Sequence, residues 1–184
     1  MRNNMIKKHY YSWTDIERMC VSIVNQMYTD NWRPDYIVGL TRGGNVPATI
    51  ISNMTGIRCE ALKVSLRDDE QGPEINLWMA EDAYGYMKED SATAGPLHKN
   101  ILIVDDINDT GATFNWIKED WPSGCMPMNH DRWNAVWGNN VRFATLTENL
   151  ASEFDEVSYT CHEINKAEED VWLVYPWENV AEYK

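Results

Sequence analysis

Asp105, Asp106 and Asp109 lie close together, directly after four consecutive aliphatics, Ile101-Leu102-Ile103-Val104. A turn of small residues follows, Thr110-Gly111-Ala112-Thr113. The aliphatic run predicts a strand buried on both faces. The segment after the turn has helical character. A strand, a small-residue turn and a helix N-terminus together present unpaired amides and the positive end of a helix dipole, which is an anion cradle. Carboxylates beside such a cradle suit a phosphorylated sugar: its hydroxyls meet the acids, its phosphate meets the amides, and a divalent cation accompanies it.

A second turn repeats the pattern. Tyr36-Ile37-Val38-Gly39-Leu40 reads as a strand, followed by Thr41-Arg42-Gly43-Gly44. A helix should begin near Pro47 and stop at Gly56. Adjacent glycines let a backbone approach a ligand closely, and Arg42 adds one positive charge. The same glycines would equally serve a tight turn.

The alternation of strands and helices predicts an α/β fold: a parallel twisted sheet, helices on both faces and right-handed crossovers. Ligands then sit at the carboxyl ends of the strands, so both turns share one edge. The space between them suits a ligand with phosphate at both ends. Supporting elements are predicted around this frame. Thr14 and Glu17 are spaced as a capping box for a helix burying Ile16, Met19, Cys20, Ile23 and Met27. Ile57–Ser65 should be a strand. Residues 66–100 form an acidic segment, expected as a flexible loop with a short hairpin or a packed excursion around Leu77, Trp78 and Met79. A helix over Thr113–Trp121 should break at Pro122. Residues 121–140 read as an insertion, with a second short helix over Arg132–Asn139; Cys125 and His130 there are too few for a zinc site. Val141–Thr147, Val157–Tyr159 and Val171–Tyr175 complete the strands.

With 184 residues, the chain is expected to be one domain over 1–184. A net charge of −13 argues against nucleic-acid and anionic-membrane partners. Nine Trp and nine Tyr leave aromatics available to stack on a flat ligand. Cys20, Cys59, Cys125 and Cys161 are widely spaced, which suits a reduced protein. With no secretory signal and no apolar run of spanning length, a cytoplasmic location is expected.

Val104–Thr113 resembles the phosphoribosyl-pyrophosphate motif of type I phosphoribosyltransferases, with Ala112 where that family usually has Gly. Thr41-Arg42-Gly43-Gly44 is similar to the family's pyrophosphate turn. Asp170–Glu178 resembles the tail of bacterial xanthine-guanine phosphoribosyltransferases. The resemblance implies transfer of ribose 5-phosphate from phosphoribosyl pyrophosphate to a purine base, with Mg²⁺ and release of pyrophosphate, as in purine salvage. It implies that Asp105 and Asp106 hold the ribose hydroxyls and, through water, the metal. Asp109, Thr110, Gly111, Ala112 and Thr113 would cradle the 5′-phosphate, and Asp109 would be the general base. Thr41, Arg42, Gly43 and Gly44 would take the pyrophosphate. Trp172 would stack on the base, with Leu173 beside it. Purine-specific members carry a Lys after the strand matching Phe143–Thr147; here Glu148-Asn149 stands there, so Asn149 is the expected base contact. Arg67 or Lys99 would approach the ligand from the 66–100 segment, and 148–184 would form a hood over the base. A homo-oligomer is expected. Two alternatives stay open: a non-catalytic nucleotide-binding protein on the same fold, and a transferase for a non-purine base.

Overall fold

The computed structural model describes residues 6–64, 76–85, 97–125 and 129–178. The elements run β1 (Lys7–Tyr10), α1 (Trp13–Thr29), β2 (Tyr36–Thr41), α2 (Asn45–Thr55), β3 (Cys59–Lys63), α3 (Leu77–Tyr84), β4 (Ile101–Asn108), α4 (Ala112–Gly124), α5 (His130–Asn134), β5 (Val141–Asn149), β6 (Val157–Tyr159), β7 (His162–Ile164) and β8 (Val171–Val174).

The main sheet has the order β3-β2-β4-β5-β6, with β7 also paired to β5, and every pairing is parallel. Its central strands alternate between two buried faces, as a sheet covered on both sides requires. Tyr36, Val38, Leu40, Ile101, Ile103, Val141 and Phe143 pack in one core with α3, α4 and α5 residues. Ile37, Leu102, Val104, Ala144 and Leu146 pack in the other with α1 and α2. After β2 the chain crosses outward to β3; after β4 it crosses the opposite way to β5. The order therefore reverses between β2 and β4, and the crevice at their carboxyl ends is where such sheets hold ligands.

Helix α1 buries Ile16, Cys20, Ile23 and Met27, one stripe at helical spacing. Its capping box is Ser12 with Asp15, not Thr14 with Glu17. Ser12 has extended backbone and its hydroxyl accepts from the Asp15 amide, so the helix starts two residues earlier than expected. Such a cap is worth about 1 kcal/mol.

Other boundaries also moved. Leu77–Tyr84 is a helix rather than a hairpin, because Met79, Ala80, Ala83 and Tyr84 form a helical stripe buried in the α4 core. Residues 66–75 and 86–96 of the 66–100 segment, including Arg67, lie outside the described residues. Helix α4 continues through Pro122 to Gly124; Trp121 and Pro122 are buried and tie this turn to the core. Cys125, Trp133 and Val136 also join that core, so part of 121–140 is built into the domain.

The expected hood is smaller than 148–184, since β6 and β7 extend the main sheet. Only β8 leaves it. Its partner is β1, which was not expected: Lys7, Lys8, His9 and Tyr10 lie opposite Val171, Trp172, Leu173 and Val174 in parallel register. Val171 and Leu173 set this ribbon against the second core.

Candidate functional site

The two turns meet at the crevice between β2 and β4. Their contact is through Gly43: a Cβ there would lie 2.1 Å from Asp106 Oδ2. The Asp106 carboxylate thus occupies the space a side chain would need, and any larger residue here would have to displace it. Gly44 is buried and caps α2, and the Thr41–Arg42 peptide is cis. Arg42 is exposed and forms no ion pair among the described residues. A cavity of about 590 Å³ opens here, lined by Arg42, Gly43, Val46, Asp106, Trp177 and Glu178. Trp177 and Glu178 went unnoticed in the sequence as site residues.

Asp105 and Asp106 stand side by side, and the Asp106 amide donates to Asp105 Oδ1 at 2.9 Å. Burial, then the neighbouring Asp106 charge, push the Asp105 carboxyl well above the usual carboxylate range. Asp106 is also raised, by burial and by the Glu178 charge, although hydrogen bonds from its surroundings partly offset this. Two carboxylates in one dry site attract a cation or sugar hydroxyls.

The second cavity, about 220 Å³, is lined by Asp105 through Phe114. Gly111 caps α4 at φ 86, a left-handed backbone. A Cβ on it would lie 2.6 Å from the Phe154 amide nitrogen. The loop is stapled to the turn after β5: the Glu153 amide donates to Thr110 O at 3.1 Å, and Asn108 Nδ2 donates to Phe154 O at 2.8 Å. Thr113 follows in the first turn of α4, where amides lack intrahelical partners. Ala112 is exposed at the first helical position. Exposure leaves room for its methyl, so the departure from Gly crowds no core neighbour.

Asp109 reveals a residue that sequence reasoning missed. Lys166, between β7 and β8, places Nζ 2.8 Å from Asp109 Oδ1. No motif surrounds it; the only signal was a cation in a loop leaving the carboxyl edge of the sheet. Asn149 has a different task from the one expected. It is 6% exposed. Its Nδ2 donates to Asp109 O at 2.9 Å, and its Oδ1 accepts from the Ala151 and Lys166 amides at 3.2 and 3.0 Å. The side chain that was expected to meet the base is spent on holding Asp109 and Lys166 together.

Trp172 is 59% exposed, on the opposite face of β8 from buried Val171 and Leu173. Its ring is available for stacking. The Leu173 side chain is in the core, so only its peptide groups are available to a ligand. Lys99 is engaged with Asp82 at 3.0 Å, and that pairing answers the expectation that it approaches the ligand. No helix among the described residues is long and apolar enough to cross a membrane.

The model of the phosphoribosyl transferase domain family matches residues 3–176. The hypoxanthine-guanine phosphoribosyltransferase of Schizosaccharomyces pombe is 26% identical, over 92% of this chain and 88% of its own. The xanthine-guanine phosphoribosyltransferase of Cereibacter sphaeroides is 25% identical, over 96% and 90%. The purine phosphoribosyltransferase of Pyrococcus horikoshii shares the fold with a TM-score of 0.62 at 20% identity, covering 97% of this chain and 99% of that one. The family model spans nearly the whole chain, both turns included, and on that ground the chain belongs to the phosphoribosyl transferase domain family.

Proposed function

We propose that the chain transfers ribose 5-phosphate from phosphoribosyl pyrophosphate to a 6-oxopurine, releasing pyrophosphate. The observation that carries this reading is the contact of the two turns through Gly43 and Asp106. The closeness of the Thr41–Gly44 turn, the acid pair and the Asp109–Thr113 turn supports reading them as the pyrophosphate, ribose and 5′-phosphate parts of one site.

Each group has a task there. Arg42 and the Gly43-Gly44 amides hold the pyrophosphate. Thr110–Thr113 cradle the 5′-phosphate with amides and hydroxyls. Asp105 and Asp106 accept from the ribose hydroxyls, and their charge favours a sugar that becomes cationic as pyrophosphate departs. The work is positioning and charge placement. Trp172 offers its exposed ring to the base.

Asp109 accepts the proton from purine N7, and Lys166 beside it reads the adjacent position. In a purine, N7 and the 6-substituent share one edge. An ammonium only donates, so it accepts an oxo group and rejects an amino group. The Lys166 cation therefore selects hypoxanthine, guanine or xanthine over adenine.

Mg²⁺ fits the donors present. Asp105 and Asp106 supply only hard oxygens, and no group of three His, Cys, Asp or Glu able to hold an ion occurs among the described residues. A carboxylate pair that leaves most positions to water and phosphate oxygens matches the habit of Mg²⁺. When bound, it would neutralise charge on the departing pyrophosphate.

Pyrophosphate release should be measured with phosphoribosyl pyrophosphate, Mg²⁺ and a panel of bases. Turnover with 6-oxopurines and little with adenine is expected. Binding of the sugar pyrophosphate without turnover of any base would overturn the reading.

A further inference from the structure

A run of buried hydroxyls ends on the acid pair. Tyr175, just after β8, donates its hydroxyl to Asp106 O at 3.0 Å. Its oxygen also contacts Thr147 Oγ1 at 3.1 Å. Thr147 Oγ1 contacts the Tyr11 hydroxyl at 2.9 Å, and that hydroxyl in turn meets His162 Nδ1. Tyr11, Thr147 and Tyr175 are 7, 0 and 2% exposed.

The Tyr175 hydroxyl is the donor toward both Asp106 O and Thr147 Oγ1, sharing its proton between them. Between Thr147 and Tyr11, and between Tyr11 and His162, either partner can donate. Chains of this kind strengthen one another in a dry interior.

The far end bears on the site. The Asp106–Ile107 peptide is gripped from both sides. Its carbonyl accepts from Tyr175, and its amide donates to Asp106 Oδ1 at 2.9 Å. Fixing this peptide fixes the direction of the Asp106 carboxylate, which in turn fills the space above Gly43. The Tyr175 ring is itself held by stacking, on Tyr11 at 5.1 Å and on Trp177 at 4.9 Å.

We propose that Tyr175 is a positioning residue for Asp106, with its hydroxyl held in one hydrogen-bonded run with Thr147, Tyr11 and His162, so that the segment following β1 takes part in binding the sugar pyrophosphate. The ligand's identity rests on the function proposed above. The chain joins segments from β1, β5, β7 and β8 to β4, and so couples the ribbon to the ribose half of the site.

The test is equilibrium binding of phosphoribosyl pyrophosphate with Mg²⁺, beside steady-state kinetics and thermal midpoints. Tyr175→Phe keeps both ring stacks and removes one hydroxyl. Affinity should fall about five- to tenfold, the scale of one lost hydrogen bond, while the KM for the base stays unchanged. Tyr11→Phe should lose less. The double variant should bind no more weakly than Tyr175→Phe alone, because the chain is already cut at its last link. Thr147→Ser should bind as the wild type and Thr147→Val should not, which keeps the test valid if a tyrosine variant folds poorly. Wild-type affinity in Tyr175→Phe, multiplicative losses in the double variant, or an equal rise in the base KM would overturn the proposal. Should no base be turned over while the binding series behaves as expected, the proposed reaction fails and this inference stands.

Discussion

Lys166 Nζ lies 2.8 Å from Asp109 Oδ1, and one buried amide sets that distance. Asn149 holds the Asp109 backbone with Nδ2 and the Lys166 backbone with Oδ1. The loop after β4 and the loop after β7 are therefore locked in register at their charged residues. The two side chains are 28 and 42% exposed, so the ion pair adds little to stability. In the reaction proposed above, its value is a cation held beside the proton acceptor.

Lys166→Met keeps the length of the side chain and deletes the charge. The kcat/KM for hypoxanthine or guanine should fall about 10- to 100-fold, as expected when a hydrogen bond to a charged group is lost. Discrimination against adenine should shrink with it. The unfolding free energy should change by less than about 1 kcal/mol. Kinetics over a base panel and a urea titration check both statements.

Asn149→Ala leaves the Ala151 and Lys166 amides without their acceptor and frees Asp109. A buried group left unpaired costs about 1–3 kcal/mol. Stability should drop by that amount, and kcat should fall while affinity for phosphoribosyl pyrophosphate holds, because the acid pair is untouched. Denaturant unfolding and calorimetric binding separate the two effects.

Gly43→Ala inserts a methyl into the space of the Asp106 carboxylate, 2.1 Å from Oδ2. Either the turn or the acid must move. Binding of phosphoribosyl pyrophosphate should be lost or weakened at least about tenfold, the scale of one misplaced charged contact. Circular dichroism should still report the native fold, since the turn lies at the sheet edge. Unchanged binding would show that the two turns move independently.

The raised Asp105 carboxyl makes a prediction with a definite sign. The folded chain holds that proton to higher pH than the unfolded chain does. Stability is therefore favoured at acidic pH and declines as pH rises from the usual carboxylate range through the raised value. Asp105→Asn removes the penalty. It should raise the thermal midpoint at neutral pH, and the gain should fade as pH falls toward the ordinary range. The same variant should bind the sugar pyrophosphate poorly. Melting curves across pH, with and without ligand, measure the exchange.

The site was legible in the sequence where chemistry followed directly on a buried strand. Ile101–Val104 and Tyr36–Leu40 are apolar on both faces, so their ends had to carry the turns, and parallel pairing put those turns together. Asn149 was misread because its amide offers the same groups to a base or to the backbone, and periodicity cannot say which neighbour claims them. Lys166 gave no pattern at all; its meaning comes from a loop that returns to Asp109. Strand β1 was invisible for a physical reason. Lys7, Lys8, His9 and Tyr10 are all exposed, so no apolar alternation marks them, and their partner is near the other end of the chain.

That pairing orders events in time. A ribosome delivers Lys7–Tyr10 more than 150 residues before Val171–Val174. Strands β2 through β5 can associate during synthesis, while β1 waits for its partner to emerge. The Thr41–Gly44 and Asp109–Thr113 turns can therefore form early. On the arrangement proposed for Tyr175, the Asp106 carboxylate is aligned only after the β8 segment has emerged, so the order of synthesis sets the order in which the two halves of the site form.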